Sequence, residues 1–170
     1  MGEQSKEVRV VRCARTSRGD NERGAAAIEF ALVAPLLILL VMGVISYGYM
    51  LSFRQALSQG AAEASRATAV SPFPTATARQ QEGLDALNES LGSYGVACDG
   101  FAAGSHLRKD GENVGTCSVT IAACANDPTK DCVTTALAYG YQAHPLTPSF
   151  PGVSLVLPES LGYDAVARTS

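Results

Sequence analysis

The chain has 170 residues, of which 46% are hydrophobic and 17% charged, and its formal net charge at pH 7 is −3. This length accommodates one membrane helix and one small domain of about 100 residues, and it excludes two such domains beside the helix. Residues 1–24 hold six Lys/Arg and four Asp/Glu, whereas residues 25–170 hold seven and twelve, so the acidic remainder offers no basic surface for nucleic acid.

A long apolar run follows the polar N-terminal segment. No charged residue occurs between Phe30 and Phe53. As a helix, this run would span about 36 Å, more than the roughly 30 Å of a bilayer core, so it predicts a transmembrane helix. The basic leader before it predicts an N-terminus that stays in the cytoplasm and an exported chain after Arg54. Tyr47, Tyr49 and Phe53 stand where an outer aromatic belt is expected.

One carboxylate, that of Glu29, stands immediately before the apolar run. An ionisable group at the edge of a membrane is costly to desolvate, so its position there indicates a function. Glu29 lies five positions after Gly24, the last residue of the basic leader. The small Ala25 follows the glycine, and the aromatic Phe30 follows the glutamate.

This order of features, in the stretch RGAAAIEFALVAPLLILLVMGVISYGYML, resembles the processing site of type IV pilin-like proteins. The amino-acid sequence of this stretch is similar to that of the TadE family of tight-adherence (Flp) pilus proteins. The resemblance implies that a prepilin peptidase cuts between Gly24 and Ala25, and that Glu29 and Phe30 act in assembly. Many type IV pilins have phenylalanine where this chain has Ala25. Major Flp pilins usually have tyrosine where it has Phe30, which implies an accessory subunit.

The chain after Arg54 predicts a continued helix and then a second one. An alanine-rich segment extends the first helix to about Ala69, and the sequence Ser-Pro-Phe-Pro at residues 71–74 breaks it. A shorter helix at about residues 76–91 carries one apolar stripe, formed by Leu84, Leu87 and Leu91. We expect this stripe to pack in a core.

Alternating residues predict strands in the last third of the chain. Residues 114–123 and 132–143 alternate across a polar turn at residues 126–131, which indicates an antiparallel hairpin. Two shorter strands are expected at residues 153–157 and 161–168.

The predicted fold class is α+β, with a long N-terminal transmembrane helix followed by a small antiparallel-sheet domain with disulfides. We divide the chain into a cytoplasmic leader (1–24), a transmembrane and extended helix (25–69) and an exported α+β domain (70–170).

Four of the five cysteines lie in the part predicted to be exported, and only Cys13 lies in the leader. Loss of the leader would leave an even number, as two disulfides in an oxidising compartment require. Three pairings are possible. We favour Cys98–Cys117 and Cys124–Cys132, because both close short loops and the second flanks the hairpin turn. A zinc site is disfavoured because the spacings contain no C-x2-C.

No residue pattern indicates catalysis. His106 stands in a glycine- and charge-rich segment that we take as a loop, and His144 precedes a proline, so neither has a second ligand at metal spacing. The motifs G-x-S-x-G and H-E-x-x-H and the P-loop do not occur. We therefore expect a protein that is not an enzyme and uses neither cofactor nor metal.

Two functions remain open. The first is a minor pilin- or pseudopilin-like subunit of the Flp/Tad pilus, processed at Gly24 and located in the inner membrane. Its partners would be other pilin-like subunits, the Tad assembly machinery, the prepilin peptidase and membrane lipid. The alternative is an unprocessed single-pass inner-membrane protein whose exported disulfide domain binds a partner. The fate of residues 1–24 distinguishes the two.

Overall fold

The structure, a computed structural model, describes residues 19–147 and 157–169, and their side chains from residue 24 onward. In chain order its elements are α1 (Gly19–Val70), α2 (Ala76–Gly92), β1 (Val96–Cys98), β2 (Ser105–Lys109), β3 (Glu112–Cys124), β4 (Asp127–Tyr139) and β5 (Leu161–Arg168). This α+β arrangement, a long apolar helix followed by an antiparallel sheet with two disulfides, is the fold class predicted from the sequence. The chain divides into two compact units at Val41/Met42.

In the first unit, the described part of α1 exposes apolar side chains on all sides. Every side chain from residue 24 to residue 41 is exposed except that of Ala34, which is half-buried. Exposure of so long an apolar surface to water is unfavourable, so a protein partner or a membrane is expected to cover it. The helix is long and apolar enough to cross a membrane.

In the second unit, α1 buries one face from Ser46 onward. Buried residues recur every three or four positions along it, among them Ser46, Met50, Phe53, Leu57, Ala61, Ala64 and Thr68, and near its end Ser65 and Ala69 are buried beside them. That spacing places them on a single helical face, which packs against the sheet and α2.

The second helix forms and packs as its sequence predicts. The Thr75 side chain accepts a hydrogen bond from the Ala78 N–H and so caps the first turn of α2. The predicted stripe of Leu84, Leu87 and Leu91 is buried in the core. The stripe hypothesis is therefore confirmed.

The five strands form one antiparallel sheet in the order of the chain, β1 to β5. Burial alternates along β4, where Val133, Thr135, Leu137 and Tyr139 face the helices. The inward residues of β5 include two alanines, Ala165 and Ala167, which pack against the core. One face of the sheet thus carries the core beneath α1 and α2.

Several predicted boundaries of the sheet were wrong. β4 begins at Asp127 and ends at Tyr139, so the turn covers only Ala125 and Asn126 and the strand stops four residues early. The strands β1 and β2 were not predicted, and His106 lies in β2 rather than in a loop. β5 matches the predicted strand at 161–168. Of the strand predicted at 153–157, only Leu157 lies among the described residues, and it is not in a strand.

The disulfides join Cys98 to Cys117 and Cys124 to Cys132, which is the pairing that we favour from the sequence. The first connects β1 to β3, which are separated by β2 in the sheet. Its Cα atoms are 6.1 Å apart, whereas alternate strands of a flat sheet lie about 9.5 Å apart. The sheet therefore curls at this end. The second closes the β3–β4 hairpin near its turn.

Candidate assembly site

The predicted processing site lies inside α1. Because α1 begins at Gly19, the peptide bond between Gly24 and Ala25 is already helical. Among the residues that the structure describes, a Cβ atom built on Gly24 would meet no atom within 4 Å beyond its own helix backbone, and Ala25 is exposed. Packing within the described part of the chain therefore sets no requirement for glycine at position 24. A peptidase that binds an extended substrate must first unwind this turn.

The Glu29 carboxylate is exposed one turn beyond Ala25. Among the side chains that the structure describes, it makes no hydrogen bond or ion pair. If the chain were cut after Gly24, the new amino group on Ala25 would lie about 6 Å from Glu29 along the helix axis. The carboxylate can therefore reach either the amine of its own chain or that of a neighbouring molecule.

Phe30 extends this exposed surface with a large apolar ring. Its side chain is 73% exposed, and that of Ile28 is 66% exposed. The four predicted residues, Gly24, Ala25, Glu29 and Phe30, thus lie on two consecutive turns of one helical segment. All four are open to a partner.

Phe53 does not belong to an outer aromatic belt, in contrast to the prediction. It is fully buried, and its ring lies edge-on to Tyr94 and Tyr139 at centroid distances of 5.0 and 4.8 Å. Tyr47 and Tyr49 remain 54% and 41% exposed. The prediction failed because Phe53 lies on the face of α1 that packs against the sheet.

Two sets of polar contacts hold α1 on the sheet. The Ser65 hydroxyl lies 2.8 Å from the Thr135 hydroxyl and 3.0 Å from the carbonyl oxygen of Ala165. Nearer the apolar run, Arg54 Nε donates to the Tyr163 hydroxyl at 2.6 Å. A buried hydroxyl without a partner is costly, so the Ser65 contacts favour one axial position of α1 on β4 and β5.

The carboxylate of Asp99 organises the β1–β2 connection. It accepts the backbone N–H of His106 at 2.7 Å and the Nε–H of Arg108 at 3.1 Å. These two donors hold the pKa of Asp99 below its usual value. His106 and His144 each lie near one carboxylate, that of Asp99 and that of Glu112, at 3.7 and 3.9 Å.

Sequence reasoning missed the residues that join the elements, because their signals are weak. Gly83 of α2 lies against Ala64 and Thr68 of α1. The Gln80 side chain donates to the Val119 carbonyl at 2.8 Å. A lone glycine in a helix is a possible sign of close packing, whereas nothing marks Gln80 in the sequence.

Comparison with known proteins supports the resemblance over the segment that carries these features. Residues 24–66 match a family model described as TadE-like protein. The match starts at Gly24 and ends within α1, so the resemblance to the TadE family is confirmed over this segment. Searches of curated proteins and of solved structures each returned no match.

Proposed function

We propose that this chain is a minor pilin- or pseudopilin-like subunit that takes part in assembly of the Flp/Tad type IVb pilus. One observation carries the proposal. The TadE-like match begins at the proposed cleavage residue, Gly24, and covers both the exposed Glu29 and the apolar segment of α1. TadE-like proteins are associated with the Tad pilus, and the proposal gives this chain the role of an accessory subunit within that system.

The proposed processing step is cleavage by a prepilin peptidase between Gly24 and Ala25. The uncrowded surface around this peptide bond supports access, and the length of the following apolar run supports retention in the membrane. Cleavage would remove the basic leader and with it Cys13. The mature chain would then begin with a positive amino group at the membrane edge.

We propose that Glu29 meets the N-terminal amine of a neighbouring subunit. Desolvating a lone carboxylate or ammonium costs several kcal/mol, and pairing the two offsets much of that cost. The exposed rings and aliphatic side chains around Glu29 would pack against the neighbouring helix. The charge pair would then favour one axial register between the two helices.

In this proposal the chain crosses the inner membrane once, with residues 1–24 in the cytoplasm and the disulfide domain exported. The charge asymmetry of the sequence supports this orientation. The two disulfides suit an oxidising compartment. The subunit acts by assembly rather than by catalysis, and its partners are pilin-like subunits and the Tad machinery.

One observation favours the alternative, in which the membrane protein keeps its leader and binds a partner through its exported domain. The bond between Gly24 and Ala25 lies five residues inside α1. Helical peptide bonds resist proteases, because several hydrogen bonds must open before the chain fits an extended-substrate site.

Crosslinking from the exposed ring position tests the proposal. A photo-reactive amino acid replaces Phe30 in cells that make the whole pilus system and in matched cells that lack the other pilin-like subunits. We expect adducts with pilin-like subunits only in the first cells. Adducts with lipid alone in both would contradict an assembly role.

A further inference from the structure

The second unit contains a cationic side chain at the end of the apolar surface. The exposed apolar side chains of α1 continue through Val44, Ile45, Tyr47, Tyr49 and Leu51. Arg54 follows one turn after Leu51, and it is the first charged residue after Glu29. It therefore lies where the apolar surface of the helix gives way to a polar one.

Arg54 is held by one side chain of the sheet. Its Nε donates to the Tyr163 hydroxyl at 2.6 Å, and its guanidinium carbon lies 5.9 Å from the centre of the Tyr163 ring. Tyr163 is half-buried in β5, opposite Leu137 of β4. This contact uses one of the five N–H donors of the guanidinium and leaves four on the two Nη atoms.

The positive charge has no acidic partner among the residues that the structure describes. The described ion pairs of arginine belong to Arg66, Arg108 and Arg168. A surface cavity adjoins the guanidinium. It is lined by Arg54, Pro158, Ser160, Leu161, Gly162 and Tyr163. The guanidinium is fixed through Nε, and its Nη donors have no partner among the described residues. Such a group beside a cavity has the geometry that binds a phosphate through two parallel hydrogen bonds.

We propose that Arg54 and Tyr163 bind the phosphodiester headgroup of a phospholipid in the leaflet on the exported side. The inference rests on the proposed membrane crossing of α1. Side chains of a helix tilt towards its N-terminus, so Arg54 extends from α1 in the direction of the apolar surface. An arginine at the end of a span typically places its charge at headgroup level while its stem covers apolar surface.

Binding at this site would fix the distance of the sheet domain from the membrane surface. The headgroup contact and the Tyr163 contact share one guanidinium, so a bound lipid is linked directly to β5. Tyr47 and Tyr49, exposed on the preceding two turns, suit the same interfacial level.

The test is native mass spectrometry of the full chain released from nanodiscs. The discs contain equal amounts of phosphatidylglycerol and a galactolipid with matched acyl chains, which lacks phosphate. We expect the wild type to retain phosphatidylglycerol in preference to the galactolipid. Arg54→Gln should lower this retention about tenfold, as expected for loss of a charge-assisted pair. Arg54→Lys keeps the charge but lacks the paired N–H donors of the guanidinium, so it should give an intermediate loss of lipid retention.

The chain offers a matched control in Arg66. It lies on the same helix, is exposed, and pairs with Glu63 at 3.9 Å. It is about 18 Å further along α1 than Arg54, so Arg66→Gln should leave retention unchanged. Tyr163→Phe keeps the charge and removes the acceptor of Nε, so it should lower retention partly. Circular dichroism verifies the fold of each variant.

Four results would overturn the inference. They are equal retention of the two lipids by the wild type, unchanged retention in Arg54→Gln, an equal loss in Arg66→Gln, and displacement of the lipid by excess inorganic phosphate. The last result would identify a site for free anions instead. Failure of the membrane crossing on which the inference rests would look different, because the wild type would then not insert into the discs at all.

Discussion

The side-chain amide of Asn88 in α2 hydrogen-bonds both backbone polar groups of Cys98 in β1. Its Nδ2 donates to the Cys98 carbonyl at 3.2 Å, and the Cys98 N–H donates to its Oδ1 at 2.7 Å. Cys98 pairs with Leu107 of β2 on the other side of the strand. Asn88 thus takes the place of a neighbouring strand at the outer edge of the sheet, next to the first disulfide.

Replacing Asn88 by alanine should destabilise the domain. The substitution leaves two backbone groups of Cys98 without these partners, which costs on the order of 1 to 3 kcal/mol. Thermal unfolding of the full chain measures the loss. The control is Gln81→Ala, because the Gln81 amide bonds only Asp85, one turn away on the exposed face. An Asn88→Ala variant that unfolds at the wild-type temperature would contradict the edge role.

Replacing Gly83 by alanine should also destabilise the domain, although alanine is the better helix former. A Cβ at position 83 would clash with the Thr68 hydroxyl and lie 2.8 Å from the Ala64 carbonyl oxygen, which belongs to the backbone of α1. Overpacking of this kind costs about 1 to 3 kcal/mol. Gly92→Ala is the matched control, because its Cβ meets nothing within 4 Å. Equal unfolding temperatures for the two variants would exclude a close helix crossing at Gly83.

The domain should lose stability in alkali through Tyr139. Burial of this side chain, assisted by the neighbouring Tyr141, raises its pKa from 10.0 to about 12. Its hydroxyl donates to the His144 carbonyl at 2.9 Å, which also favours the neutral form. The pKa of Tyr139 is higher in the folded state than in the unfolded state. Its contribution to the free energy of unfolding is therefore complete below pH 10 and is lost as the pH rises from 10 to 12.

The measurement compares unfolding temperatures of the wild type and Tyr139→Phe across this pH range. The variant lacks the hydroxyl, so its unfolding temperature should fall less steeply. The difference in free energy should be on the order of 2 to 3 kcal/mol at the alkaline end. If the unfolding temperatures of the two proteins fell in parallel with pH, the pKa of Tyr139 would not be raised in the folded state.

How far the sequence predicted this fold depends on the length of each signal. The stripe of α2 repeats every three or four residues and the strand β5 alternates over eight residues, so both could be predicted closely. β2 has a single buried apolar residue, Leu107, so its alternation could not be seen. The first residues of β4, from Asp127, are mostly exposed and follow a register shift at Ala123/Cys124. A polar, exposed strand of this kind has the composition of a turn.

The sequence also could not predict where the lipid-facing part of the apolar run ends and the protein core begins. Lipid and a protein core select the same residue types, so nothing in the sequence marks where one gives way to the other. Phe53 belongs to the core and Tyr47 to the exposed surface. The residues of the assembly site could be predicted because their order is specific. The partners of these residues could not be predicted. Gly24, Glu29 and Phe30 are all exposed, and the sequence of one chain does not identify the molecule that contacts them.

Glu29→Gln should impair assembly while leaving membrane insertion intact. The amide keeps the size and polarity of the side chain but cannot pair as a charge with the amine of a neighbour. Crosslinking from position 30 to pilin-like subunits should therefore weaken about tenfold, as expected for loss of a charge-assisted contact. Glu63→Gln, on the same helix but in the second unit, serves as the control. Undiminished crosslinking would mean that Glu29 serves only its own helix.

The most direct test of the proposed function is the intact mass of the protein extracted from cells that make the whole pilus system. We predict a mature chain that begins at Ala25 and lacks residues 1–24. Gly24→Leu should block the cut, because the larger side chain obstructs the peptidase, and the space around a Cβ at position 24 is open beyond the helix's own backbone. A wild-type mass that still includes residues 1–24 in those cells would contradict processing at Gly24 and support the unprocessed membrane protein instead.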